Sequence, residues 1–161
     1  MTNLLIRSFI VIFLITFNVD AKAENNVLSK EETKAVFAEL LASHKGKIIY
    51  LDFWASWCSP CRRSFPWLND LTEEYSKDKF VVLSVNVDNE REFAEAFLKE
   101  TPAKFDIFYD PKGTIARQYK IKGMPSSYII DREGNILSSH VGFTEKKKHL
   151  YKQAFDTLLK Q

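Results

Sequence analysis

Cys58 and Cys61 are the only cysteines in a chain of 161 residues, and they stand three apart in FWASWCSPCRR, Phe53 to Arg63. Thiols at that spacing can form a structural disulfide, half of a metal site or a redox couple, or they can be an accident of composition. A disulfide closing so small a loop constrains the unfolded chain little and stabilises little, so a staple explains the pair poorly. One Cys-x-x-Cys supplies only two of the four ligands that structural zinc usually takes. His44, His140 and His149 lie far away in sequence and show no ligand spacing, so each is expected as a surface or packing residue. A metal site stays as the lesser alternative, and no cofactor is expected. Redox exchange suits the pair better, because a thiolate is the attacking species and a second thiol one helical turn away can resolve what it forms.

The flanking sequence supplies elements that would position such a couple. KIIYLDFW, Lys47 to Trp54, is a near-continuous apolar, β-branched and aromatic run, as expected of a central strand buried on both faces. A helix is expected from about Ser59-Pro60, since proline is tolerated in a first turn, continuing through Phe65, Leu68 and Leu71 and bent at Pro66. Cys58 then precedes a helix whose unpaired N–H groups and dipole favour negative charge and lower a thiol pKa. Cys58 should be exposed at the helix tip, with Cys61 facing the protein.

Upstream, Ser29-Lys30-Glu31-Glu32 has the form of a capping box ahead of Val36, Phe37, Leu40 and Leu41, with Gly46 available to end that helix. Downstream, KFVVLSVNV reads as a second buried strand, and Asp88 as the cap of a helix burying Phe93, Ala96 and Phe97. FDIFYD is a short strand, followed by a turn at Pro111-Lys112-Gly113 and a short helix from Thr114 to about Tyr119. SSYIID and ILSSHV flank a polar glycine-containing loop and form a hairpin. The last helix, Glu145 to Leu159, is expected to bury Leu150, Ala154, Phe155, Leu158 and Leu159. This order implies an α/β fold, a mixed sheet covered by helices on both faces.

Residues 1–23 read as a secretory signal. FIVIFLITF is apolar but too short for a comfortable membrane span, and Ala21-Lys22-Ala23 offers small residues at the positions a signal peptidase reads. An uncleaved anchor is the runner-up, and no cysteine lies near the segment to carry a lipid. Residues 24–161 then make one domain exported to the periplasm or another extracytoplasmic space. The composition, 45% hydrophobic and 14% aromatic, supports a packed core. A net charge of +2 with interspersed signs gives no support to nucleic-acid binding, and Lys146 to Lys148 is read as a solvated helix face.

LDFWASWCSPCRRSFP resembles the active-site segment of the thioredoxin superfamily, with Asp52, Trp54, Trp57, Cys58, Pro60, Cys61 and Pro66 on the matching positions. KGMPSSYIID supplies a second signature, in which Met124-Pro125 precedes a strand as the superfamily's cis-proline does. The chain further resembles the exported TlpA/ResA-like reductases related to cytochrome c maturation proteins. It departs from them in having a capped helix where those proteins often carry a hairpin, Asp52 where many have asparagine, and no secure match at Asp88-Asn89 for an acidic residue.

The resemblance implies a thioredoxin-like fold and a protein thiol:disulfide oxidoreductase. Cys58 would attack a substrate disulfide, Cys61 would resolve the mixed disulfide, and buried Asp52 would accept the Cys61 proton. Pro125 would lie beside the sulfurs, the Met124 backbone would bind an extended substrate segment, Trp57 and Met124 would form an apolar rim, and Pro60 would help set the redox poise. Arg62 and Arg63 would add positive potential. Met124 offers no side-chain hydrogen bond to a Cys58 thiolate, which leans toward a reductase. The implied partners are disulfide-containing exported proteins and a membrane or exported electron donor, with the chain a monomer and cytochrome c maturation a possible setting. Two alternatives use the same fold. A thiol peroxidase would need a P-x-x-x-T-x-x-C loop, which this sequence lacks; a copper metallochaperone would typically have Cys-x-x-x-Cys and a distant histidine.

Overall fold

A computed structural model describes residues 28–160. The expected signal over residues 1–23 and the start of the domain at Glu24 lie outside the described residues. The elements are α1 (Lys30–Ser43), β1 (Ile48–Trp54), α2 (Ser59–Glu74), β2 (Phe80–Asn86), α3 (Arg91–Glu100), β3 (Asp106–Tyr109), α4 (Thr114–Gln118), β4 (Ser126–Ile130), β5 (Ile136–Val141) and α5 (Glu145–Leu159). Among the described residues no helix is long and apolar enough to cross a membrane.

The strands form one mixed sheet in the order β3-β2-β1-β4-β5. β1 and β2 run parallel, as do β2 and β3, while β4 is antiparallel to β1 and β5 antiparallel to β4. β1 is central and all seven of its residues are buried, which is why its sequence reads as an unbroken apolar run except at Asp52. Alternation along β1 divides the core in two. Ile48, Tyr50 and Trp54 pack with Phe65, Leu68 and Leu71 of α2, Phe97 of α3 and Phe155 of α5. Ile49, Leu51 and Phe53 pack on the opposite face with Phe37 of α1 and Ile115 of α4.

α2 carries the cysteine motif and is held by aromatic packing. The Phe65 ring lies 4.7 Å from that of Trp54 and 4.8 Å from that of Phe97, both edge-to-face. Such pairs contribute roughly 0.5–1.5 kcal/mol each beyond area burial. Pro66 lies inside the helix, where it costs one backbone hydrogen bond in exchange for a rigid turn. At the other end of the chain's order, Ser29 and Glu32 form the reciprocal capping box that starts α1.

Three helices turn slightly different faces to the core than periodicity suggests. On α5, Leu150 is 51% exposed and Tyr151 is buried beside Phe155. The tyrosine can occupy the core because its hydroxyl accepts a hydrogen bond from Ser127 at 3.2 Å. On α3, Phe93 and Ala96 face outward and Ala94 is buried with Phe97. On α1, Val36 is exposed while Thr33 is buried, its hydroxyl donating to the Ser29 carbonyl at 2.8 Å. In two of these cases a polar side chain enters the core because a hydrogen-bond partner satisfies it, local for Thr33 and on strand β4 for Tyr151.

Candidate active site at the start of helix α2

Cys58 and Cys61 are joined by a disulfide with S–S 2.03 Å. Cys58 is the N-cap of α2, and its Sγ accepts from the Cys61 backbone N–H at 3.3 Å. The Cys58 N–H donates to the Ala55 carbonyl at 3.1 Å, so a tight turn places the sulfur over the first turn of the helix. Unpaired N–H groups and the dipole at this end stabilise a thiolate once the disulfide is reduced. Pro60 stands in the same first turn, where its missing N–H costs nothing.

Cys58 is not the exposed tip residue that the sequence suggests. It is only 5% exposed, and Cys61 is fully buried. Access to Cys58 is along a groove of about 580 Å³ that it lines. Trp57, 69% exposed, forms one wall with Pro60; Ile121, Lys122, Gly123 and Met124 form the other. The Met124–Pro125 peptide bond is cis. The Pro125 carbonyl accepts from Gly142 N–H at 2.7 Å, and Ser126 Oγ donates to the Gly123 carbonyl at 2.6 Å, so the loop is tied on both sides.

Asp52 lies on the face of β1 that α2 covers, two residues from Tyr50 and from Trp54. Its neighbours across the sheet are Ser84 on β2 and Ser127 on β4. Ser84 is occupied elsewhere: it accepts from Trp54 Nε1 at 3.2 Å and donates to the Asp106 carbonyl at 3.3 Å. The Oδ2 atom of Asp52 is buried without a hydrogen-bond partner. Burial alone pushes the Asp52 carboxyl well above the usual carboxylate range. A buried acid so raised is a stronger proton acceptor when ionised, and it lies on the face of the sheet covered by the helix that carries Cys61.

Asp88 does not cap α3, contrary to the sequence reading. α3 starts after Glu90, which makes no side-chain cap bond. The Asp88 carboxylate is buried and accepts from Ser56 N–H at 2.9 Å, from Ser56 Oγ at 3.1 Å and from Asn86 Nδ2 at 2.8 Å. It therefore anchors the loop that presents Trp57 and Cys58. A legible signal existed: Asn86 and Asp88 are polar residues just where a buried parallel strand ends, and that end of an α/β sheet is where sites are built. Ser84 and Ser127 carried no such signal, since hydroxyls on strands are common.

The two arginines after the motif are partly committed. Arg62 pairs with Glu100 at 3.2 Å and lies 4.7 Å over the Phe97 ring, and Arg63 donates to Ser59 Oγ at 3.1 Å. His44 faces Asp106 at 4.0 Å and His140 packs edge-on against Tyr151. Among the described residues, no three His, Cys, Asp or Glu side chains group in a way that could hold a metal ion.

Known proteins are similar to this chain. A crystal structure from Chlorobium tepidum, provisionally described as the thiol:disulfide interchange protein DsbE, is 45% identical and superposes with a TM-score of 0.72 over 74% of this chain and 84% of its own. The thiol-disulfide oxidoreductase ResA of Bacillus cereus is 28% identical over 151 residues, 90% of this chain and 87% of the relative. The thioredoxin-like protein YneN of Bacillus subtilis is 38% identical over 111 residues, 67% of this chain and 64% of the relative. The profile of the AhpC/TSA family matches residues 19–139. On that match and those relatives, this chain belongs to the AhpC/TSA family, with a thioredoxin-like fold on the branch of the ResA-type oxidoreductases.

Proposed function

We propose that this protein reduces disulfides of exported proteins through the Cys58/Cys61 couple. The observation that carries the reading is the Cys58–Cys61 disulfide at the N-terminus of α2, with Cys58 Sγ receiving a backbone N–H. In the reduced protein the Cys58 thiolate attacks one sulfur of the substrate disulfide, and the other sulfur leaves as a thiolate that takes a proton from solvent. Cys61 gives its proton to Asp52 and attacks Cys58, restoring the disulfide and releasing the second substrate sulfur as a thiolate, to which the proton held by Asp52 then passes. Atoms and electrons balance: two electrons pass from the couple to the substrate, whose two sulfurs take up one proton from solvent, matching the one Cys58 lost on ionising, and one that came from Cys61 by way of Asp52.

The remaining site residues take supporting roles. Trp57, Pro60 and Met124 line the groove through which Cys58 is reached, and the backbone at Met124 and cis Pro125 receives an extended substrate segment. Residues 1–23 serve as the export signal or anchor, and the electron donor is a membrane or exported dithiol protein. Cysteine pairs of cytochrome c precursors are one substrate of the right chemistry.

The test is the reduction potential of the couple, taken by equilibration with defined thiol buffers. A value near the roughly −270 mV of thioredoxin supports a reductase, and one near the roughly −120 mV of DsbA reverses the direction to oxidation.

A further inference from the structure

The groove beside Cys58 is apolar along most of its length, and its charge has one sign. Among the described residues, Lys122 is the only charged one lining it, and no carboxylate does. Lys122 is exposed and has no carboxylate partner among the described residues. The neighbouring bases are held by other groups: Arg62 by Glu100 and Arg63 by Ser59. Asp88 is the acid nearest in sequence to the groove residue Val87. It is buried, bonded by Ser56 and Asn86, and lines a different cavity with Arg91.

The backbone that delivers Lys122 to the groove adopts an unfavourable conformation. Lys120 has φ +54, a left-handed position at the end of α4 that usually falls to glycine. Its N–H donates to the Arg117 carbonyl and that of Ile121 to the Ala116 carbonyl, both at 3.0 Å. The turn carries Ile121 and Lys122 into the wall opposite Trp57. Those two bonds close the end of α4 and fix the course of the chain that follows it.

Building on the oxidoreductase reading, we propose that this groove selects disulfide substrates whose attacked cysteine lies in an extended segment with an apolar residue and a nearby carboxylate, the carboxylate meeting Lys122. The occupant is an acidic segment of a substrate protein. Trp57, Ile121 and Met124 take its apolar side chain, and Lys122 sets the charge preference.

The test uses the reduced protein and three disulfide-linked peptides that differ only in Glu, Gln or Lys beside the cysteine. In each turnover the protein's two thiols become the Cys58–Cys61 disulfide and the peptide disulfide becomes two thiols. At low salt the rates should fall in the order Glu, Gln, Lys, with Glu over Gln by about 1.5- to 5-fold, as expected of an exposed ion pair. At about 0.5 M salt, where the Debye length is roughly 4 Å, the spread should close. Lys122→Glu should reverse the order and Lys122→Gln should flatten it. Equal rates for the three peptides at low salt, or an order that survives Lys122→Glu, would overturn the proposal while leaving the oxidoreductase reading intact. Failure to reduce even the Gln peptide would instead overturn the oxidoreductase reading, and this proposal with it.

Discussion

Asp88 holds Ser56 through both the backbone N–H, at 2.9 Å, and the hydroxyl, at 3.1 Å, across 32 residues of sequence. The end of β2 thereby fixes the loop between β1 and α2 that carries Trp57 and Cys58. Asp88→Ala would leave the Ser56 N–H and the Asn86 amide without their acceptor in a largely buried place. About 2 kcal/mol should be lost, roughly 5–10 °C in Tm, together with slower exchange at Cys58. Asp88→Asn keeps one acceptor and adds a donor, so it should recover much of the loss. Thermal melts paired with single-turnover exchange rates check both variants, and an Asp88→Ala protein with unchanged rate would show the loop holds its shape unaided.

Asp52 makes stability depend on pH in a direction set by its burial. Its carboxyl titrates well above the usual range when folded, whereas in the unfolded chain it titrates near the ordinary value of about 3.9. Between those two values the unfolded state has lost the proton and the folded state keeps it, so stability falls as pH rises. The contribution is fully present below about pH 4 and is lost progressively up to the raised folded value. Asp52→Asn should remove this slope in the disulfide form, where no thiol titrates. It should also flatten the pH profile of the resolving step, because only ionised Asp52 accepts the Cys61 proton. Denaturant melts of both proteins at several pH values test the first part; parallel stability curves would mean that Asp52 is ionised in the fold.

The features legible in the sequence were those written in local pattern. The buried strand Ile48–Trp54, the proline-started helix at Ser59 and the capping box at Ser29 each follow from short-range chemistry, and each is present. Asp88 and Tyr151 were not legible because their partners, Ser56 and Ser127, are brought to them only by sheet pairing and helix docking. The burial of Cys58 was hidden for the same reason. Its cover comes partly from Ile121 to Met124, more than sixty residues along the chain.

The two cysteines should separate cleanly by role. Cys58→Ser removes the thiolate that the α2 N-terminus stabilises, so exchange should fall to the background rate. Cys61→Ser leaves the attacking thiol with nothing to resolve its product, so substrate should accumulate covalently on Cys58. Mass spectrometry of the Cys61→Ser protein after incubation with a disulfide substrate reads this directly. An equal yield of adduct from Cys58→Ser, on Cys61, would contradict the assignment, since Cys61 is fully buried.

Tyr151 and Leu150 are adjacent on α5 and should respond to mutation in opposite ways to a simple hydrophobicity ranking. Leu150 is half-exposed, so Leu150→Gln should change stability by no more than about 0.5 kcal/mol. Tyr151→Phe keeps the ring, which packs at 5.5 Å from Tyr50, but removes the acceptor of the Ser127 hydroxyl at 3.2 Å. Because both residues are buried, that change should cost about 1–2 kcal/mol. Tyr151→Ala removes the ring as well and should cost roughly 3–5 kcal/mol by analogy with large aromatic truncations. Urea melts of the three variants give the order directly. If Leu150→Gln proves costlier than Tyr151→Phe, the face of α5 that meets the sheet is the one centred on Leu150, and the Ser127–Tyr151 contact contributes little to docking the helix.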